Sequence, residues 1–349
     1  MNITFILPGG GRSGGIKSTV KAANGLLQRG HKVHLLVNKT GRSPRMRLRE
    51  LWLKTRYTSD NDWLDLFEGS LERFADIEQC TFDNKEIVVA SGWWAGAEIR
   101  RLNQNGIIKV HHVRGMLKDA DQMRAAWGEN VPKIVVASYL EEVIKQVCDQ
   151  KVYAIIPNGI DTTEFYPSVP ESQRNGVGTI FGQGYHKDPE TVLGVLNKLR
   201  RSRPETPQRV FSTHRRPKDI PSEIFHRLPP LEKIRDIYSR SLVWVLGSSS
   251  EGFPAPLLEA MSCGCAVVST DCGGGAKDII KDGENGFLVK VGDVEGIVSR
   301  VKELLDDGEL RQRFVRSSKE TLEKFSWGSS IDKLERALSN IAGSRFDGS

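Results

Sequence analysis

Cysteine is scarce in this chain. Five cysteines in 349 residues, without an even ladder of spacings, exclude a disulfide framework and imply reduced thiols in a reducing compartment. No run reaches the eighteen or more apolar residues that a membrane span needs. The start, 1–7, carries neither a basic leader nor a cleavage site, so a cytoplasmic protein is expected. Low-complexity tracts and short internal repeats are absent too, which argues against a solenoid. Charge of one sign does not dominate: 50 Lys and Arg face 44 Asp and Glu, a net +6, and no nucleic-acid partner is expected. The cations are unevenly spread, with Lys39, Arg42, Arg45, Arg47, Arg49, Lys54 and Arg56 grouped against Glu50 as the one acid of the window 39–56. Leu48, Leu51, Trp52 and Thr55 fall there at helical spacing. A helix over 46–57 would present an apolar strip beside a basic face, suited to peripheral contact with an anionic bilayer on the inner membrane face.

What is present is length for two cores and an alternation of short Val- and Ile-rich runs with amphipathic stretches. That alternation predicts parallel sheets covered by helices. Strands are expected at 3–7, 33–37, 87–90, 108–112, 134–137 and 153–156, then at 178–181, 209–211, 242–246, 266–269 and 286–289. The punctuation of Pro157, Asn158, Gly159 and Pro167 places a boundary in 157–170. Two doubly wound α/β domains follow, with ligands expected at the carboxyl ends of their strands. The segment 40–85 fits least well and reads as an insertion with helical pieces at 46–57 and 62–74.

After the first strand, Gly9-Gly10-Gly11-Arg12-Ser13-Gly14-Gly15 opens a helical stretch. Gly9, Gly11 and Gly14 satisfy a dinucleotide fingerprint, and glycine there lets a phosphate approach the amides at a helix start. An NAD site would place an acid after the second strand. Asn38, Lys39 and Thr40 stand there instead, so NAD is disfavoured and NADP stays open. The same glycines also fit a turn that only lets strand and helix pack closely.

The richest segment runs from Ser248 to Gly264: Ser248-Ser249-Ser250-Glu251-Gly252-Phe253-Pro254-Ala255-Pro256-Leu257-Leu258-Glu259-Ala260-Met261-Ser262-Cys263-Gly264. Pro256 suits the first turn of a helix whose apolar face is Leu257, Leu258 and Met261, and whose start is expected to point free amides at a ligand. Glu251 before that helix and Glu259 within it form a carboxylate pair able to accept from sugar hydroxyls, while the amides suit a phosphate. Each glutamate taken alone also fits a helix-dipole role.

As a whole the string resembles the retaining glycosyltransferases of family 4, of the GT-B fold, whose signature E-G-F-x-x-P-x-x-E-A-M-x-x-G it matches at Glu251, Gly252, Phe253, Pro256, Glu259, Ala260, Met261 and Gly264. Ile156-Pro157-Asn158-Gly159-Ile160-Asp161 resembles that family's domain junction, and Phe325-Ser326-Trp327 its closing motif. Gly273-Gly274-Gly275 with Asp278, and Asp282-Gly283-Glu284-Asn285-Gly286-Phe287-Leu288, resemble the region after the second glutamate. The resemblance implies two Rossmann-like domains facing a central cleft: an acceptor domain over 1–160, a nucleotide-sugar donor domain over 161–326, and a last helix at about 327–345 crossing back to the first.

For the site, the resemblance implies that Glu251 acts on the transferred sugar and Glu259 binds the donor nucleotide. Gly14 and Gly15 would lie against the donor phosphates, and Gly252, Phe253, Pro254, Ala255, Pro256 and Leu257 would line the donor. The family places an Arg followed five positions later by a Lys after the first strand of the donor domain. Here Gln183, four positions before Lys187, stands about where that Arg is expected and Lys187 remains, with Arg215 or Arg216 as a source of the second charge or as plain loop residues. His111, His112 and Arg114 are expected on the acceptor side. Adjacent strand residues point to opposite faces, and His112 is the preferred catalytic histidine, although both also fit a packing role. Cys263, Cys265 and Cys272 lack zinc spacing and read as buried thiols.

The reading is a retaining transferase of hexosyl or deoxyhexosyl groups from a nucleotide-diphosphate sugar to a carbohydrate, lipid-linked or small-molecule hydroxyl. It would serve polysaccharide, glycolipid or glycosylated-metabolite synthesis, with neither cofactor nor metal expected. The rivals are an NADP-dependent oxidoreductase, favoured by the first glycine loop and Lys39, and a non-enzymatic polyanion binder using 39–56.

Overall fold

The computed structural model describes residues 1–39 and 62–344. Of the basic window only Lys39 is described, and the helix expected at 46–57 lies outside the described residues.

The chain divides into two compact units, Met1–Gly159 with the chain from Trp327 onward, and Ile160–Ser326. The first unit carries a seven-stranded sheet in the order β3-β2-β1-β4-β5-β6-β7, every pairing parallel. Its strands are β1 (Asn2–Leu7), β2 (Lys32–Asn38), β3 (Ser70–Phe74), β4 (Ile87–Ser91), β5 (Ile108–Val113), β6 (Lys133–Val135) and β7 (Ala154–Ile155). The helices are α1 (Gly14–Gln28), α2 (Trp93–Ile99), α3 (Ala120–Trp127), α4 (Tyr139–Cys148) and, from the far end of the chain, the last helix Trp327–Ser344.

Side chains alternate across a strand, and this sheet is apolar on both faces. Phe5, Leu35 and Val89 join one core with Val20, Leu26, Ile331, Leu334, Leu338 and Ile341. Ile6, Leu36 and Val88 join the opposite core with Ala95 and Ile99 of α2. The spacing of Ile331, Leu334, Leu338 and Ile341 puts one stripe of the last helix against α1 and the sheet.

One expectation is overturned here. The helical reading of 62–74 gives way to a short 3-10 turn at Trp63–Leu66 and the edge strand β3. The reason sits at Gly69, where a Cβ would come within 2.7 Å of the Phe67 ring, 2.9 Å of Leu27 and 3.0 Å of the Val33 carbonyl. A side chain there would have to push these neighbours aside, and the chain then pairs with β2 in the register His34↔Ser70 to Asn38↔Phe74. The apolar spacing of Trp63, Leu64 and Phe67 therefore records packing of a turn on the core.

The second unit carries a parallel six-stranded sheet, β10-β9-β8-β11-β12-β13. Its strands are β8 (Val177–Ile180), β9 (Gln208–Ser212), β10 (Phe225–Arg227), β11 (Val243–Leu246), β12 (Ala266–Thr270) and β13 (Phe287–Val289). Its helices are α5 (Pro189–Ser202), α6 (Leu231–Arg240), α7 (Ala255–Ser262), α8 (Val294–Asp306) and α9 (Gly308–Lys324), so the last helix becomes α10. Strand β10, an edge strand of three half-buried residues that include His226 and Arg227, has no apolar run to announce it in the sequence.

The chain passes between the units at 159–160 and again at 326–327. Within the second unit the Ile160 amide donates to the Phe325 carbonyl at 2.7 Å. Within the first, Gly159 lies so close to Trp327 that a Cβ would fall 2.5 Å from its backbone nitrogen and Cα. Backbone cannot yield as a side-chain tip can. Gly159→Ala should therefore displace the start of α10 and destabilise the first unit by about 1–3 kcal/mol. A urea midpoint equal to that of the unaltered protein would show that the contact relaxes freely.

Candidate active site

In the second unit, β8 and β11 are hydrogen-bonded neighbours, so the loops leaving their carboxyl ends run side by side. The loop 181–188 after β8 is shaped by Gly182, over which the Lys187 stem lies: a Cβ there would meet Lys187 Cγ at 2.6 Å. Asp188, at φ 43°, caps α5 by accepting from the Thr191 amide at 3.1 Å, and Pro189 supplies the first helical position. This fixes Lys187 at the helix entrance. The loop after β11 is stitched to it where the Ser249 and Ser250 amides donate to the His186 carbonyl at 2.9 and 3.1 Å.

These bonds bring Lys187 and Glu251 together. Lys187 Nζ donates to Glu251 Oε1 at 2.6 Å, and Ser248 Oγ donates to the same oxygen at 2.7 Å. With the Glu251 side chain 11% exposed and that of Lys187 27%, the pair is partly desolvated and stronger than a surface ion pair. The Glu251 amide donates to the Cys272 carbonyl at 3.0 Å, which ties the loop to β12. Gly275 packs against the same loop, where a Cβ would stand 2.7 Å from the Gly252 carbonyl. Gly275, the last of the glycine run 273–275, thus supports the Glu251 loop.

Helix α7 corrects the expectation of free amides at its start. The Ala255 amide donates to the Phe253 carbonyl at 2.9 Å and that of Leu257 to Pro254 at 3.0 Å, while Pro256 has no N–H. The amides left without a protein acceptor among the described residues are one step earlier, on Gly252 and Phe253. Glu259, in the helix, accepts from Tyr238 Oη at 2.9 Å. Tyr238 is fully buried on α6, and burial, with Glu259 beside it, raises its pKa well above the usual phenol value, so it stays a donor. Arg215 and Arg216 follow β9 and are both exposed. The Arg216 guanidinium is turned onto its own loop, donating to the Ile220 carbonyl.

Sequence reasoning missed Ser248, His186 and Tyr238. Ser248 lies inside the quoted string and could have been singled out for its spacing of three from Glu251. Tyr238, on another helix, gives no local signal.

In the first unit the glycine loop is followed by α1, capped by Ser13 Oγ accepting from the Ile16 amide at 3.3 Å, with Gly14 and Gly15 exposed. His111 and His112 face opposite sides of β5. The His111 ring contacts the Gly92 carbonyl at 3.1 Å, and burial lowers its pKa to about 4. His112 is 3% exposed and turned into a small cavity against α1 and α10, and burial, followed by the Arg114 charge, holds it well below the usual imidazole pKa. Both rings are therefore neutral at pH 7. Arg114 donates to Ser91 Oγ at 2.9 Å, Ser18 Oγ at 2.6 Å and Asn158 Oδ1 at 3.1 Å.

Comparison with known proteins agrees with this architecture. Residues 222–321 match the family profile described as Glycosyl transferases group 1. The sulfoquinovosyl transferase SQD2 of Arabidopsis thaliana is 30% identical over 161 residues, 43% of this chain and 30% of that protein. The alpha-maltose-1-phosphate synthase of Mycolicibacterium smegmatis is 28% identical over 206 residues, 50% of this chain and 53% of that protein. The chain thus spans about half or less of the length of these relatives. Among crystal structures, Anabaena Alr3699/HepE in complex with UDP-glucose superposes with a TM-score of 0.75 at 14% identity, covering 97% of this chain and all of that one. The sucrose-phosphate synthase of Thermosynechococcus elongatus gives 0.70 at 15%, covering 99% of this chain and all of that one. The fold is GT-B, with two Rossmann-like units. The residues that match the glycosyl transferases group 1 profile lie in the second unit.

The same unit holds the three buried thiols. Cys265 Sγ donates to the Tyr238 carbonyl at 3.0 Å, and burial pushes Cys265 and Cys272 up to about 12 and Cys263 higher still. At pH 8 a thiol of pKa 12 is ionised in only about one molecule in ten thousand. The native protein should therefore release colour with Ellman's reagent from Cys80 and Cys148 alone, both half-buried, and from all five cysteines once denatured. A rapid third equivalent in native buffer would contradict this burial.

Proposed function

We propose that this chain transfers a glycosyl group from a nucleotide-diphosphate sugar to an acceptor hydroxyl with retention at the anomeric carbon. The observation that carries the reading is the convergence of Lys187, Ser248 and Glu251 beside the unpartnered amides of Gly252 and Phe253, with Glu259 anchored by Tyr238 on the helix that follows. A nucleoside diphosphate is a leaving group whose negative charge grows as the glycosidic bond breaks. An ammonium group and two fixed N–H dipoles lower that charge's energy most in the transition state. On this reading Lys187 and the two amides take the diphosphate, and no step is assigned to a metal. Glu259 accepts from the ribose hydroxyls, and Glu251 accepts from a hydroxyl of the transferred sugar. Its tie to Lys187 and Ser248 makes Glu251 a poor nucleophile, which favours front-face departure through an oxocarbenium-like state over double displacement.

The relatives named above suit synthesis of a glycolipid, polysaccharide or glycosylated metabolite, and the HepE complex makes UDP-sugars the first donors to try. Among the described residues no helix is long and apolar enough to cross a membrane. Peripheral contact through 39–56 stays part of the proposal, tested by sedimentation with anionic vesicles.

A thermal-shift panel of UDP, GDP, ADP, CMP and dTDP against NADPH tests the reading directly, because a ligand of the native state raises stability. A nucleoside diphosphate should stabilise the protein and NADPH should not; the reverse would favour an oxidoreductase. Glu259→Ala removes a charge-assisted hydrogen bond of roughly 1.5–3 kcal/mol, so the nucleotide Kd should rise about tenfold or more. An unchanged Kd by calorimetry would refute the ribose role.

A second expectation concerns turnover. Glu251→Gln should lower kcat with nucleotide affinity largely kept, and turnover within twofold of the original would sink its assignment. Lys187→Ala should weaken donor binding more than Arg215→Ala or Arg216→Ala. Equal small effects from all three would overturn that ranking.

A further inference from the structure

The first unit contains a cation that its own residues do not neutralise. The guanidinium of Arg114, at the carboxyl end of β5, is fixed by Nε to Ser91 Oγ and by Nη1 to Ser18 Oγ and Asn158 Oδ1, all neutral acceptors. Among the described residues no carboxylate lies within ion-pair distance, and Nη2 has no protein acceptor. Ser91 is itself held, sharing a hydrogen bond with Thr19 Oγ1 at 2.8 Å. The fork is therefore preorganised on two prongs and unsatisfied on the third.

Its surroundings add positive potential and no counter-charge. The first turn of α1 has no acidic residue, and the Arg114 stem passes 3.9 Å from where a Gly15 Cβ would stand. His112, almost completely buried with neither ring nitrogen hydrogen-bonded, lines one cavity with Arg114, Ser18 and Asn158. Held neutral, it offers no compensation. Arg114 is half-buried, and the burial of its guanidinium without a counter-charge brings its pKa down to about 9, so it is a cation only partly compensated by its surroundings. Such a charge is retained where a ligand supplies the missing anion, and Arg is the side chain whose planar donors match phosphate and carboxylate oxygens.

We infer that Arg114 binds an oxyanion, phosphate or carboxylate, carried by the acceptor, so that the substrate glycosylated is an anionic molecule. This rests on the glycosyl-transfer reading. There the diphosphate of the donor already has Lys187 and the Gly252–Phe253 amides in the second unit, which leaves the fixed cation of the first unit for the other substrate. Arg114 acts in this account by holding and orienting the acceptor.

The test uses the full chain and the probes inorganic phosphate and acetate, titrated at constant ionic strength with and without a saturating concentration of the best-bound of UDP, GDP, ADP and dTDP. One or both oxyanions should bind in the presence of the nucleotide. Phosphate alone would mark a phosphorylated acceptor, and acetate alone a carboxylic one. Arg114→Gln should weaken that binding by tenfold or more while the nucleotide Kd changes less than twofold. Asn158→Asp places a carboxylate against Nη1 with almost no change of shape, and should abolish oxyanion binding by supplying the counter-charge internally, which keeps the proposal testable if Arg114→Gln fails to fold. Oxyanion binding lost whenever the nucleotide is present would assign Arg114 to the donor instead. Oxyanion affinity unchanged in Asn158→Asp, or no oxyanion binding at all, would overturn the proposal. If no nucleotide stabilises the unaltered protein, the glycosyl-transfer reading fails first, and the assignment to an acceptor falls with it whatever the oxyanions do.

Discussion

The contact between Lys187 and Glu251 is the constraint on which the second unit's site is built. An ammonium and a carboxylate 2.6 Å apart, partly shielded from water, fix the separation of two loops that belong to different strands. The parallel pairing of β8 with β11 brings those loops to the same edge. Gly182 then lets the lysine stem lie flat, and Gly275 lets the β12 loop close against the glutamate's own backbone. Remove the charge pair and the glycines around it lose their purpose, since each exists to let backbone or an aliphatic stem come within a distance that a methyl group would forbid. A charged ligand entering here competes for partners that already have one another. Binding and ordering of the two loops are therefore parts of one equilibrium.

The two units handle positive charge in opposite ways. Lys187 has a carboxylate partner and a flexible stem, so it can change partners at modest cost. Arg114 is locked by three neutral oxygens from different parts of the unit, the end of β4, the first turns of α1 and the segment before Gly159. One cation is adaptable and the other is fixed.

Much of this was legible in the sequence, and the pattern of success has physical causes. The interior strands could be placed because parallel sheets bury both faces and so leave continuous Val- and Ile-rich runs, as in β4 and β12. The edge strands β3 and β10 could not, because an edge is half wet and tolerates Glu72, Arg73, His226 and Arg227. The carboxylate pair Glu251 and Glu259 was visible because both lie in one short segment with fixed spacing. Tyr238, which holds Glu259, and Ser91 and Asn158, which hold Arg114, come from other elements, and periodicity carries no information about such meetings. The amides of α7 were misassigned for a related reason. Pro254 and Pro256 announce a helix start, but they do not reveal that the turn before it bends back to occupy its own N–H groups.

The placement of α10 has a consequence for how the molecule is made. Arg29 at the end of α1 reaches Glu335 across 306 positions of sequence, so the first unit's core is sealed by residues that follow the whole of the second unit. The second unit is continuous and ends at Ser326, immediately before α10 begins. During synthesis the order of completion is thus inverted: the later unit can finish folding while the earlier one still exposes the stripe of α1 and sheet that Ile331, Leu334, Leu338 and Ile341 will cover. Closing so large a loop is entropically slow compared with local helix formation. Until α10 docks, the first unit keeps that apolar seam open.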